Sequence, residues 1–88
     1  MRVIIRFSLN KDVGSPLRNT LKPILEAQGI MWTNKMTGTY EGYDSPKKIR
    51  LALARFWKAV ADAQAVGKVR IDHFWMYTDR KTAPVVEE

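Results

Sequence analysis

Eighty-eight residues leave room for one hydrophobic core and not for two. Hydrophobic residues make up 45% of the chain, ordinary for a folded domain, and the absence of cysteine excludes disulfides, zinc–thiolate sites and thiol redox chemistry. A formal charge of +6 favours polyanionic partners: nucleic acid, an anionic membrane surface or an acidic protein. The start, Met1-Arg2-Val3-Ile4-Ile5-Arg6, has too short an apolar run for a signal peptide, and no segment approaches the length of a membrane span. The expected setting is cytoplasmic, without a membrane partner.

Residues 3–9 read as a strand, because Val3, Ile5, Phe7 and Leu9 alternate with Ile4, Arg6 and Ser8. After a loop over 10–14, Ser15-Pro16 has the form of an N-cap followed by proline at the first helical position. Leu17, Leu21, Ile24, Leu25 and Gln28 follow at helical spacing and Gly29 is the stop. Pro23 inside that helix removes a donor, which predicts a kink or a separate first turn. Residues 30–43 read as a hairpin turning at Thr37-Gly38. Counting outward from that turn pairs Met36 with Thr39, Asn34 with Glu41 and Trp32 with Tyr43. It puts Ile30, Trp32, Met36 and Tyr43 in the core and Met31, Thr33, Lys35 and Tyr40 on the other face. Ser45-Pro46 opens a second helix, whose Ile49, Ala52, Leu53, Phe56, Trp57, Val60 and Ala63 form a broad apolar stripe ending at Gly67. Val69–Thr78 is a last strand, rich in β-branched and aromatic residues.

The order β-α-β-β-α-β predicts an α+β domain over residues 1–79. Two helices cover one face of a four-stranded antiparallel sheet in the ferredoxin-like, split-βαβ arrangement, and residues 80–88 form a tail. Right-handed crossovers are expected to set the first and third strands side by side and parallel in the centre. Both helix starts then share one edge, bringing Asn10, Lys11, Gly14 and Ser15 together with Ser45, Lys47 and Lys48.

The catalytic inventory is thin. His73 is the one histidine, and its place in a strand suits a structural role better than a catalytic one. No spacing supplies a zinc site, a nucleophile–base pair or a phosphate-binding glycine loop, so no metal or cofactor is expected. Binding is better provided for. Free N–H groups at a helix start together with Lys47 and Lys48 suit a phosphate, and Lys47, Lys48, Arg55 and Lys58, with Arg50 on the flank, form a stripe with no acid before Asp62. On the open sheet face the alternation puts Arg2, Ile4, Arg6 and Ser8 from the first strand, and Arg70, Asp72, Phe74 and Met76 from the last. An apolar centre of Ile4, Met31, Tyr40, Phe74 and Met76 with a basic rim is the surface of a partner. It either closes a homodimer or stacks on single-stranded bases. The dimer is favoured, because Thr39-Tyr40-Glu41-Gly42-Tyr43 lacks the basic-Gly-aromatic-Gly-aromatic pattern of an RNA-recognition motif and small domains gain stability by association.

The first strand Val3-Ile4-Ile5-Arg6-Phe7-Ser8, the helix end Leu25-Glu26-Ala27-Gln28-Gly29-Ile30 and the strand Thr39-Tyr40-Glu41-Gly42 resemble the small CRISPR-associated adaptation subunit and its relative, virulence-associated protein D. The likeness covers the first half of the chain. It implies a ferredoxin-like dimer formed through the sheet face, a C-terminal strand crossing to the partner, which Pro84-Val85-Val86 would supply, and duplex nucleic acid as ligand. In metal-dependent nucleases of that family an acid follows the aromatic residue at the end of the first strand. Here Phe7 is followed by Ser8, and Asp12 lies four residues on, so the likeness implies phosphate binding more than cleavage.

The expectation is therefore a small, basic, dimeric and non-catalytic nucleic-acid-binding protein. Backbone contacts would come from Lys11, Lys47, Lys48, Arg55 and Lys58, with Arg2 and Arg6 as extras. The alternatives are a protein-interaction module that docks an acidic partner and a magnesium-dependent nuclease built around Asp12.

Overall fold

A computed structural model describes residues 1–34 and 38–81 of the chain. The elements are β1 (Arg2–Asn10), α1 (Pro16–Glu26), β2 (Met31–Asn34), β3 (Thr39–Tyr43), α2 (Pro46–Val66) and β4 (Arg70–Asp79). The fold is α+β, with one sheet in the order β2-β3-β1-β4 and antiparallel pairing between every pair of neighbours. The hairpin turn at Thr37, the pairing of Met36, and the tail beyond Lys81 with Pro84-Val85-Val86 lie outside the described residues. No described helix is long and apolar enough to cross a membrane.

The alternation of β1 does what its period requires. Val3, Ile5 and Phe7 are buried, while Arg6 between them is exposed. Leu17, Leu21 and Leu25 of α1 and Ile49, Ala52, Phe56 and Val60 of α2 close over that buried face. The two helices thus form one layer, and no described residue covers the other face of the sheet.

Ser45 caps α2 as its position suggests, its Oγ accepting from the Lys48 N–H at 3.3 Å. The start of α1 is built differently. Ser15 occupies the cap position in the left-handed region and makes no side-chain cap bond. Asp12 replaces it, one carboxylate oxygen accepting from Leu17 N–H at 3.0 Å and the other from Arg18 N–H at 3.1 Å. The helix runs on through Pro23 without a separate first turn, since the proline lies near its end on the exposed side. Gly29, at φ 72°, then turns the chain into β2. Gly42 lies so close to this turn that a Cβ there would stand 2.4 Å from the Gly29 carbonyl oxygen, so β3 has no room for a side chain at that point.

Three further sequence expectations are corrected. The first concerns direction: β1 and β3 are neighbours but antiparallel, Arg2 facing Tyr43 and Arg6 facing Thr39. The crossover through α1 makes β2 parallel to β1, and the hairpin then reverses the chain, so β3 must oppose β1. As a result α1 starts at the Asn10 end of the sheet and α2 at the other end, beside Arg2. Lys11 does not share an edge with Lys47 and Lys48.

The second correction concerns hairpin register. Trp32 pairs with Tyr40 and Asn34 with Thr39, not Trp32 with Tyr43. An odd shift exchanges the faces of β3. Tyr40 therefore stacks between Trp32 and Phe7 in the core at 1% exposure, and Tyr43 joins Arg2 on the uncovered face.

The third concerns β4. Leu9 pairs with Ile71 and Ser8 with His73, so Asp72 is an extra residue, a β-bulge. Beyond it the alternation is reversed. Phe74 pairs with Phe7 and packs against Phe56 and Trp57 under the helices, Met76 follows on the same side, and His73, Trp75, Tyr77 and Asp79 face outward.

Candidate nucleic-acid interface

The strand registers assemble the uncovered face in rows. Tyr43, Arg2 and Asp79 form one row. Met31, Glu41, Ile4 and Tyr77 form the next, then Thr39, Arg6 and Trp75, with Ser8 and His73 beyond. Two aromatic residues of β4 thus stand beside two arginines of β1.

The Trp75 and Tyr77 rings lie within 9° of parallel, with centroids 6.3 Å apart, and each is about two-fifths exposed. The Arg6 guanidinium carbon is 5.3 Å from the centre of the Trp75 ring, and that of Arg2 is 5.7 Å from Tyr77. The two arginines differ in what they have left to offer. Arg2 donates through Nε to Asp79 Oδ2 at 3.0 Å, with a second bond from its Nη2, and lies 3.9 Å from Glu41 Oε1. Those bonds from Arg2, helped by the Lys81 N–H, hold the Asp79 carboxyl below the usual carboxylate range. Arg6 donates Nε to Thr39 Oγ1 at 3.1 Å and has no acid within ion-pair distance among the described residues. Its charge is uncompensated while its side chain is fixed from both sides.

The seven basic residues singled out in the sequence do not form one surface. Arg2 and Arg6 lie on the uncovered face. Lys47 and Lys48 mark the start of α2, Arg55 and Lys58 its outer side, and Lys11, at φ 61°, the approach to α1 at the opposite end. Lys58 is paired with Asp62 at 2.9 Å, whereas Lys47, Lys48, Arg50 and Arg55 are exposed and without a carboxylate partner among the described residues.

Of the five residues expected to close a dimer through this face, Ile4 and Met31 are on it. Tyr40 is core, and Phe74 and Met76 are on the helix side. The sequence reading missed Trp75 and Tyr77, whose alternation was visible but whose side of the sheet depends on the bulge. Asp12 stands at the α1 start with both carboxylate oxygens engaged by backbone N–H groups, a structural use that accounts for it. Among the described residues no three His, Asp or Glu side chains gather where a cation would bind. In comparisons with known proteins, no family model matches the chain, no curated protein matches its sequence and no solved structure matches its fold.

Proposed function

We propose that this chain is a non-catalytic, cytoplasmic nucleic-acid-binding domain of ferredoxin-like architecture, which receives single strands across its uncovered sheet face. The fold assignment rests on the strand order with two crossovers placing both helices on one side. The observation that carries the function is the basic–aromatic pairing of Arg6 with Trp75 and Arg2 with Tyr77 on an exposed sheet. Every base has a π-face, so two near-parallel rings accept bases without regard to sequence, and an uncompensated arginine beside them holds the intervening phosphate. The exposed cations of α2 and the charge of +6 add long-range attraction for the backbone. The resemblance to the adaptation-subunit family enters this reading as a further reason to expect a nucleic acid.

Fluorescence anisotropy with labelled single-stranded RNA, single-stranded DNA and duplex DNA over a salt series tests the proposal. Single strands should bind more tightly than duplex, and alike across sequences. Trp75→Ala should cost about 1–3 kcal/mol, the usual worth of one base–aromatic stack. Arg6→Ala should flatten the slope of log affinity against log salt by about 0.7, one phosphate contact on a single strand. Absence of salt-sensitive binding to any of the three nucleic acids refutes the reading and leaves an acidic protein as the partner class.

A further inference from the structure

α1 starts and α2 ends at the same end of the domain, beside the beginning of β4, and the helix layer parts there. The groove between them has a volume of about 530 Å³, within the roughly 300–1,000 Å³ of small-molecule sites. Its walls are aliphatic: Pro16 and Leu17 from α1, Ala59, Ala63 and Val66 from α2, and Val69 before β4. No aromatic ring lines it. Val13 and Val66, on its two sides, are 89% and 90% exposed, so apolar surface continues from the groove to its lips. The loop that carries Val13 is held in an uncommon conformation, with Lys11 and Ser15 at φ 61° and 62°, the left-handed region that residues other than glycine rarely adopt.

Charged side chains also line the groove, and its two acids are already engaged. Asp12 accepts from the Leu17 and Arg18 N–H groups through both oxygens, and Asp62 holds Lys58 at 2.9 Å. Lys11 and Lys68 are exposed and have no carboxylate partner among the described residues. Neither lysine is needed to finish a helix. Asp12 closes the start of α1. At the end of α2, Arg70 Nη1 donates to the carbonyls of Gln64, Gly67 and Val69 at 3.3, 3.1 and 2.7 Å. What remains is an aliphatic slot with two uncommitted ammonium groups.

We propose that this groove binds a straight-chain alkyl carboxylate, its chain against Leu17, Ala63 and Val66 and its carboxylate held by Lys11 and Lys68. Walls without a ring give a planar ligand nothing to stack on, whereas they suit methylene groups. An ammonium group and a carboxylate form a charge-assisted hydrogen bond, and a neutral or cationic head would leave both lysines unanswered. Two consequences follow from this division of labour. Affinity rises with chain length, about fourfold for each methylene taken out of water. The charge of the head decides whether the chain is accepted at all. The groove belongs to the helix layer and not to the uncovered sheet face, so it is independent of the nucleic-acid reading.

Titration of the full chain with octanoate, decanoate and decyltrimethylammonium, followed by amide NMR shifts without nucleic acid, tests the proposal. Decanoate should saturate with a dissociation constant between about 10 µM and about 1 mM. Octanoate, two methylenes shorter, should bind about fifteenfold more weakly. The shifts should centre on Val13, Leu17, Ala63, Val66 and Val69, and decyltrimethylammonium should not saturate in that range. The Lys11→Ala, Lys68→Ala double variant should keep its fold, since both side chains are exposed, and lose about tenfold in decanoate affinity. Val66→Glu, at a position open to solvent, sets a carboxylate in the groove and should abolish binding. No saturable binding of decanoate, equal binding of the cationic surfactant, shifts centred on the sheet face, or unchanged affinity in both variants overturns the proposal.

Discussion

Asp12→Ala separates a structural from a catalytic use of this carboxylate. Asp12 serves two N–H groups at the start of α1, those of Leu17 and Arg18, and Ser15 offers no side-chain bond to replace it. Losing such a cap costs about 1 kcal/mol, and removing a negative charge from a helix N-terminus adds about 0.3–1 kcal/mol. The sum, about 1–2 kcal/mol, corresponds to a fall in Tm of roughly 5–15 °C for a domain of this size. Asp12→Asn keeps one acceptor oxygen and should lose about half as much. Thermal unfolding followed by far-UV circular dichroism measures both, with and without magnesium, and metal should change neither midpoint. An unchanged Tm for Asp12→Ala, or parent-only stabilisation by magnesium together with nucleic-acid cleavage, would refute the structural assignment and restore the nuclease alternative.

Two further substitutions probe groups with unusual surroundings. Tyr40 buries its hydroxyl with no hydrogen-bond partner among the described residues, so Tyr40→Phe should raise stability by about 1 kcal/mol in denaturant titrations. Burial also pushes the Tyr40 hydroxyl above its ordinary range. The neutral form is thus favoured in the folded state, and the parent should lose stability relative to Tyr40→Phe as pH rises above about 10, where the unfolded chain ionises first. Asp79 is the opposite case. Its folded-state value is depressed, chiefly by Arg2, so its contribution is present above about pH 4 and lost as pH falls through the lower folded-state value. Acid-unfolding curves of the parent and Asp79→Asn should therefore differ near neutrality and converge at low pH; curves that stay parallel would mean that the Arg2–Asp79 pair does not stabilise the fold.

The element order was legible because each element carries its own period and punctuation. β1 alternates with Ile4 the one apolar residue on its outward side, α2 has a broad apolar stripe, and Ser45-Pro46 and Gly67 bracket it. The sides of β3 and β4 were less legible, because side-chain direction has a period of two and any single-residue offset reverses it. An offset in the hairpin pairing sent Tyr40 into the core. The Asp72 bulge sent Trp75 and Tyr77 outward, and nothing in Ile71-Asp72-His73 marks a bulge, since it arises where β4 meets Leu9 and Ser8 of β1. The relative direction of β1 and β3 was different in kind. It follows from the chain order by counting reversals and needed no structural information. The candidate site suffered from all three errors, because a site on a sheet face is a statement about parity.

The central place of β1 also sets the order in which the molecule can be completed. Its two neighbours both come later in the chain, and Ile5 waits first for Tyr40 and then for Met76. During synthesis at roughly 5–20 residues per second, the flank of β1 that receives β4 stays bare for seconds after α1, the hairpin and the start of α2 have left the ribosome. In that interval the β4-side flank of β1 has no strand from its own chain, and Phe74 is missing from the ring cluster around Phe56 and Trp57. Closing so long a loop is slow relative to forming the helices and the hairpin, so docking of β4 is the natural late step of folding. A nascent chain stalled before residue 70 would expose the apolar strand β1 along an unpaired edge, the kind of edge that invites pairing with another chain.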